Sequence, residues 1–183
     1  MDQTHGNGLN DPWGRPEQPA FPWRGRITTS IAPGVPGSTD RTSAARNEVA
    51  SFFGIAQPSD FNRQGTTVSY AGPNEWSYRR FILHYAHLCA AAGGVDAFCI
   101  GSEMRGLTQI RDDNDAFPSV QHLRQLAADV RSILGQATKI GYAADWSEYA
   151  SYQDGTGGLY FHLDPLWSDT NIDFIGIDNY MPL

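Results

Sequence analysis

Cysteine, basic residues and long apolar runs are all scarce in this sequence, and each scarcity excludes a class of protein. The two cysteines, Cys89 and Cys99, are too few for a disulfide framework or a cysteine-rich zinc site, and we predict that both act as small hydrophobes on buried faces. Lysine and arginine number 13 against 20 acidic residues, and the resulting net charge of −7 argues against a nucleic-acid-binding protein. No apolar run approaches the roughly 20 residues of a membrane span, and we expect no signal peptide before the first segment.

Apolar and aromatic residues are plentiful enough for one folded domain with a substantial core. Hydrophobic residues make up 40% of the 183 residues and aromatic residues 12%, which excludes a disordered chain. Many prolines and glycines in residues 1–25 predict a long, turn-rich loop, whose Trp13 and Trp23 we expect to cover apolar surface. A short strand is predicted for residues 26–30.

Helices and strands alternate through the rest of the chain. Apolar residues at spacings of three and four predict helices over residues 40–53, 76–92 and 119–134, the first capped by Thr39-Asp40. In the second helix we assign Tyr78, Phe81, Ile82 and Tyr85 to the apolar face. Strands are predicted at residues 95–101, 138–144 and 172–177, with a hairpin around 66–70. This order is typical of parallel βα units and indicates an α/β fold.

Each predicted strand of that sheet ends in polar side chains. Glu103 follows the first strand, Asp145 and Trp146 follow the second, and Asp178 and Tyr180 follow the third. Neighbouring parallel strands bring their carboxyl ends to one rim, which is where the active sites of α/β barrels lie. The three carboxylates are therefore expected to face a common pocket, and Glu103 is the first candidate for a catalytic residue.

Histidine spacing raises a weaker possibility, a metal site. His84 and His87 are three residues apart on the second predicted helix, and His162 lies in a later loop. No third ligand is evident beside the helical pair, so we predict neither a metal nor another cofactor.

The chain has too few strands for a closed barrel. A (β/α)8 barrel takes about 250 residues, whereas four or five strands are predicted here, and an open half barrel exposes two sheet edges. We therefore expect residues 1–183 to be a single domain that is an internal fragment of a longer polypeptide. The alternative is a small complete α/β domain that pairs with another copy.

Several long runs resemble one protein family. They are FPWRGRIT (21–28), LHYAHLCAAAGGVDAF (83–98), IGSEMRGLT (100–108), YAADWSEY (142–149), FHLDPLW (161–167) and IGIDNYMPL (175–183). These runs resemble the TIM-barrel-like, glycoside-hydrolase-like domain of the large tail-tip protein of gene transfer agents and related phages. The resemblance implies part of a (β/α)8 TIM-barrel-like fold of the glycosidase type.

The resemblance also implies a site and its surroundings. Glu103 occupies the position of the general acid/base of retaining glycosidases, although Ser102 stands where those enzymes have asparagine, and the nucleophile is expected beyond Leu183. With the shared rim of strand ends, the candidate substrate contacts are Ser102, Asp145, Trp146, His162, Asp178 and Tyr180. The implied partners are cell-envelope polysaccharide or peptidoglycan and other tail or baseplate proteins, in the tail of a virion-like particle assembled in the cytoplasm.

Three functions remain open from the sequence. The first is a glycoside hydrolase that uses Glu103 as general acid/base, although the fragment alone is expected to be inactive. The second is a structural or glycan- or receptor-binding module of the tail tip without catalysis, which the serine at position 102 favours. The third and weakest is a metal-dependent hydrolase that uses His84, His87 or His162.

Overall fold

The computed structural model describes residues 9–19 and 22–180 and contains the predicted alternation of helices and strands. The helices are α1 (Ser43–Phe53), α2 (Tyr78–Ala91), α3 (Arg105–Thr108), α4 (Pro118–Leu134) and α5 (Asp164–Trp167). The strands are β1 (Phe61–Gln64), β2 (Thr67–Tyr70), β3 (Ala97–Ser102), β4 (Lys139–Asp145), β5 (Tyr152–Gln153), β6 (Leu159–Tyr160) and β7 (Phe174–Asp178). Single 3-10 turns occupy Arg24–Arg26 and Pro58–Asp60.

A parallel sheet of three strands carries the carboxyl ends that the sequence points to. The strand order is β3-β4-β7, with β4 hydrogen-bonded to a parallel neighbour on each side. The two hairpins, β1-β2 and β5-β6, are antiparallel and separate from this sheet. Within residues 9–19 and 22–180 the sheet does not close into a barrel, so the described part of the chain is an open α/β layer.

Helix α4 builds most of the core beneath this sheet. Proline at its first position suits a helix start, and Gly135 ends it at a φ of 79°. Its predicted stripe is confirmed, because Val120, Leu123, Leu126, Ala127 and Val130 are all buried. The helix packs against β3, β4, α1 and α2, and it therefore supports the sheet from one side.

The buried face of helix α2 agrees only in part with the predicted one, since Ile82 is buried and Tyr78 packs against the core as expected. Phe81 and Tyr85 are 56% and 49% exposed, whereas Ile82, Leu83 and Ala86 are buried. Two apolar stripes share the helical period in this segment, and periodicity alone cannot tell which of them meets the core. Packing against α4 selects the stripe with the smaller, aliphatic side chains.

Three smaller predictions are wrong. Cys89 is only half-buried and Cys99 is exposed, because the face of β3 that carries Cys99 is turned away from the helices. A 3-10 turn at Arg24–Arg26, followed by irregular chain, stands where a strand was predicted for residues 26–30. The cap of α1 is Thr42, whose side chain accepts a hydrogen bond from the backbone N–H of Ala44.

The helical layer covers β3 and β4 but not β7. Ile175 and Ile177 lie in register with Tyr142 and Ala144 and therefore share their face of the sheet. Tyr142 and Ala144 are fully buried, whereas Ile175 and Ile177 are 52% and 45% exposed. The strand that supplies Asp178 is thus the least protected of the three.

Replacement of Leu126 with alanine should test the role of α4 as the support of the sheet. Leu126 is fully buried in the main core, so Leu126→Ala should lower the free energy of unfolding by about 2–5 kcal/mol. The measurement is urea denaturation followed by circular dichroism. Gln121→Ala, on the exposed face of the same helix, is the control and should stay within about 0.5 kcal/mol of the wild type. Equal losses in the two variants would contradict this packing.

Candidate active site at the strand ends

The three strand ends bring the predicted carboxylates to one rim. Asp145 and Asp178 are paired directly across β4 and β7. The Ser102 hydroxyl, at the end of β3, donates to Asp178 Oδ2 at 3.1 Å. The backbone N–H of Glu103 donates to the carbonyl of Ala143 at 2.8 Å, which ties the residue after β3 to β4.

Glu103 is held in a conformation that L-amino acids rarely adopt. Its φ is 52°, in the left-handed region, and its side chain is only 2% exposed. A non-glycine residue in this region costs about 1–3 kcal/mol and persists only where its surroundings require it. Here a bulge between Cys99 and Ser102 ends the regular pairing of β3, and the Tyr142 hydroxyl accepts the next backbone N–H, that of Met104, at 2.8 Å.

The segment before the first helix closes over Glu103. The indole N–H of Trp23 and Nη2 of Arg24 both lie 3.0 Å from Glu103 Oε2. Arg24 Nε also donates to the Ser102 hydroxyl at 3.1 Å, so Arg24 joins the two neighbouring side chains. Glu103 Oε1 is buried and accepts no hydrogen bond of good geometry from the described residues.

The contacts of Trp23 and Arg24 with Glu103 were not predicted from the sequence. Trp23 was predicted to cover apolar surface, and Arg24 was not singled out. The available signal was the run at residues 21–28, one of the runs that carry the family resemblance, which suggested that the segment matters without saying what it contacts.

Two exposed aromatic side chains stand at the rim. The ring of Trp146 is 48% exposed, and its backbone N–H donates to the carbonyl of Asp178 at 3.2 Å. Tyr180 is 69% exposed, and the charge of Glu103 raises the pKa of the Tyr180 hydroxyl. The predicted residues Trp146, Asp178 and Tyr180 are thus brought together with Glu103.

A fourth acid, Glu148, lies beneath the rim and was not predicted. It is completely buried, and its Oε1 accepts hydrogen bonds from the hydroxyls of Thr108, at 2.6 Å, and Tyr142, at 3.0 Å. Its Oε2 accepts the backbone N–H of Asp145 at 3.1 Å. Burial raises the pKa of Glu148, and burial likewise raises that of Tyr142. Through Tyr142 and Asp145, this one carboxyl connects the turns that follow β3 and β4.

Asp145 is turned toward its own loop. Its side chain is 5% exposed, and its Oδ1 accepts the backbone N–H of Ser147 at 2.9 Å as well as the Ser147 hydroxyl. This is a local turn that fixes the direction of the chain after β4. The main-chain pairing with Asp178 places Asp145 at the rim, while its carboxylate is occupied by Ser147.

His162 occupies a different environment from the rim residues. It is 2% exposed, its ring lies 5.6 Å from that of Phe117 and 6.1 Å from that of Tyr152, and burial lowers its pKa to about 4. His84, His87 and His122 also have packing roles, since His84 and His87 lie against Phe61 and His122 stacks on Phe53. In the part of the chain that the structure describes, no three metal-ligating side chains cluster, and no helix is long and apolar enough to span a membrane.

Replacement of Glu148 with glutamine should change how stability depends on pH. Because the folded chain raises the pKa of Glu148, its ionisation costs folding free energy as the pH rises above the ordinary value of 4.5. The free energy of unfolding of the wild type, relative to Glu148→Gln, should therefore be highest below pH 4.5 and should fall as the pH rises. Urea denaturation at a series of pH values measures this difference.

Glu75 provides a control of opposite sign for that experiment. Hydrogen bonds from Ser77 and from the backbone outweigh burial and lower the pKa of Glu75. The contribution of Glu75 to stability should therefore be present above its ordinary pKa and be lost as the pH falls. A difference for Glu148→Gln that is flat, or that grows with pH, would contradict the assigned role of burial.

A family model of known proteins covers the part of the chain that forms this rim. The model of the GTA TIM-barrel-like domain matches residues 76–183, which is more than half of the chain and includes β3, β4, β7 and all three strand ends. No curated protein matches the sequence. The open parallel sheet is the part of a TIM-barrel-like architecture that the described residues form. The chain belongs to the family of gene transfer agent TIM-barrel-like domains.

Proposed function

We propose that this chain is part of a gene transfer agent tail protein and that its rim binds and cleaves cell-envelope glycan, with Glu103 as general acid/base. The single observation that carries the proposal is the placement of Glu103. A buried glutamate in a strained turn at the end of a parallel strand lies beside two more acid-bearing strand ends. Strain of this kind clusters at active sites, and α/β active sites lie at this edge of the sheet.

Glycoside cleavage requires two carboxyl groups, and we assign one of them to Glu103. Glu103 donates a proton to the leaving oxygen and later withdraws one from water. Its Oε1 is the oxygen available for that proton, because Oε2 already accepts hydrogen bonds from Trp23 and Arg24. The nucleophile of a retaining enzyme lies about 5–5.5 Å from the acid/base, and by resemblance we place it beyond Leu183. Asp178 binds sugar hydroxyls beside it.

Arg24 lies beside Ser102, the position at which related glycosidases have asparagine. In related glycosidases an asparagine amide at this position donates to a sugar hydroxyl, but the Ser102 hydroxyl already donates to Asp178. The guanidinium of Arg24 contacts both Ser102 and Glu103 and its side chain is 48% exposed, so it has N–H groups left to donate to a sugar. We propose that Arg24 takes over the donor role of the missing amide.

A glycan-binding module without catalysis is the second candidate. The ion pair between Arg24 and Glu103 favours it, because a carboxylate anchored by an arginine and an indole is also a stable structural unit. The exposed rings of Trp146 and Tyr180 suit sugar stacking in either case. The two candidates differ only in whether a glycosidic bond breaks.

Replacement of Glu103 with glutamine separates the two candidates. If Glu103 is the general acid/base, Glu103→Gln should slow the release of reducing ends from peptidoglycan or capsular glycan by about 10²–10⁴-fold, with glycan binding retained. The assay uses the complete protein that carries this domain. Asp96→Asn, at the amino end of the same strand, is the control and should leave the rate unchanged. Equal turnover by the wild type and Glu103→Gln would remove the catalytic role, and binding without any cleavage would support the second candidate.

Replacement of Trp146 with alanine tests the sugar contact itself. Loss of a stacking ring should weaken oligosaccharide binding by about tenfold. Isothermal titration calorimetry with peptidoglycan fragments measures the affinity. Tyr85→Ala removes a ring of almost equal exposure, 49% against 48%, from the outer face of α2 and should have no effect. Equal affinities of Trp146→Ala and the wild type would exclude stacking at the rim.

A further inference from the structure

A polar cleft lies between residues 33–41 and the β5-β6 hairpin, outside the rim described above. The cavity has a volume of about 330 Å³, comparable to the smaller ligand sites of proteins. Its lining combines charged and aromatic side chains, chiefly Asp40, Arg41, Arg111, Tyr152, Asp154 and Thr156. The family resemblance and the proposed catalytic role assign no function to these residues.

Arg111 is the unusual member of this lining. It is 2% exposed, yet its guanidinium makes no hydrogen bond with the described residues. Nε and Nη1 are buried without an acceptor. Nη2 lies 3.6 Å from Asp154 Oδ2 and 4.0 Å from Asp40 Oδ2, beyond hydrogen-bonding distance. A buried cation normally has its donors satisfied, because a donor without an acceptor costs free energy.

Arg131 shows what this protein does with a buried arginine that has a structural role. It is 7% exposed, and its guanidinium donates to the carbonyls of Gly135, Thr138 and Asn171 and to the carboxylate of Asp173. Both terminal nitrogens of that guanidinium donate within the fold. Arg111 differs, because its guanidinium lies over the rings of Tyr160, at 4.6 Å, and Tyr152, at 5.8 Å, while its Nε and Nη1 have no acceptor among the described residues.

The neighbouring aspartates cannot supply those acceptors as they stand. Asp154 Oδ1 accepts from the backbone N–H and the hydroxyl of Thr156 and from the backbone N–H of Gly158, while its Oδ2 accepts from Arg41 at 2.7 Å. These bonds, with those from Thr156 as the largest contribution, hold the pKa of Asp154 well below its ordinary value. Asp40 Oδ1 accepts the backbone N–H of Arg111 at 2.7 Å.

We infer that this cleft is a binding subsite for a neutral sugar unit. Oxygens of the sugar accept hydrogen bonds from Nη2 of Arg111, a sugar hydroxyl donates to Asp40 Oδ2, and the part of the half-buried Tyr152 ring that lines the cleft contacts the sugar. The charge balance of the cleft selects a neutral ligand, because Arg41 and Arg111 are matched by Asp40 and Asp154. An oxyanion that approached Arg111 would also meet both carboxylates. This inference rests on the proposed glycan function. It predicts that the glycan carries a neutral sugar where it binds in this cleft.

A second cavity shares Tyr152 with the cleft. That cavity has a volume of about 300 Å³ and is lined by Arg105, Ser147 and Tyr152, among others. Ser147 binds the carboxylate of Asp145 at the rim, and Tyr152 belongs to both cavities. The hairpin that carries Tyr152 follows β4, so it emerges from the end of the sheet where the three strand ends lie. In this inference one oligosaccharide extends from Ser147 past Tyr152 to the cleft.

The side-chain Nε–H resonance of Arg111 in ¹⁵N-edited NMR spectra of the full chain reports directly on this subsite. The probes are three neutral tetrasaccharides, N-acetylated chitotetraose, cellotetraose and maltotetraose, and one anionic tetrasaccharide, tetragalacturonate. At least one neutral probe should shift the Arg111 resonance saturably, and tetragalacturonate at equal concentration should not. Tyr152→Ala should weaken the fitted affinity about tenfold. The Nε–H of Arg124, which is paired with Asp169 at the surface, is the control and should not move.

The outcomes distinguish this inference from the proposed function. A saturable Arg111 shift that persists in Glu103→Gln, in a protein that cleaves no glycan, supports the subsite and rejects hydrolysis. Hydrolysis of a glycan, with Arg111 silent toward every neutral probe, overturns the subsite and leaves the catalytic proposal standing. A shift with tetragalacturonate alone also overturns the inference, because it identifies an oxyanion site.

Discussion

Parallel pairing of β4 with a strand on each side is the constraint on which the rest of this structure depends. It brings the ends of β3, β4 and β7 to one edge, where the backbone of Asp145 lies opposite that of Asp178. Residues that are 76 positions apart in the sequence, such as Ser102 and Asp178, thereby come within 3.1 Å. The sheet rests on α4, so the geometry of the rim follows from the packing of one amphipathic helix.

Burial of acids around this edge is balanced by specific donors. Glu103 is matched by Arg24 and Trp23, and Glu148 by the hydroxyls of Thr108 and Tyr142 and a backbone N–H. The two carboxyls differ in their partners. Glu103 is paired with a cation, whereas Glu148 has only neutral donors and keeps a raised pKa. Buried carboxyls with unlike surroundings are the condition under which one fold supports both acid and base roles.

The strand ends could be predicted because they depend on local signals. Short apolar runs located β3, β4 and β7, and parallel pairing implied a shared rim for Glu103, Asp145 and Asp178. Trp23 and Arg24 could not be found in this way, because their contact with Glu103 joins positions about 80 residues apart through an irregular segment with no periodicity. The exposed face of α2 was assigned wrongly for a related reason, since both of its stripes are apolar and only tertiary packing distinguishes them.

Glu148 illustrates a further limit of sequence analysis. It lies three residues after Asp145 in a polar turn, where most carboxylates are solvated, and nothing local indicates that Thr108 and Tyr142 bury it. Arg111 is similar, since it precedes an acidic turn that looks like ordinary surface. Both residues matter through what surrounds them, and only the fold reveals those surroundings.

The most direct test of the account is a crystal structure of the Glu103→Gln variant with a bound oligosaccharide from peptidoglycan. The account predicts a sugar ring against Trp146, with sugar oxygens within hydrogen-bonding distance of Asp178, Arg24 and the side chain at position 103. A rim that stays empty at saturating oligosaccharide, with the contacts of Trp23 and Arg24 to position 103 unchanged, would contradict it.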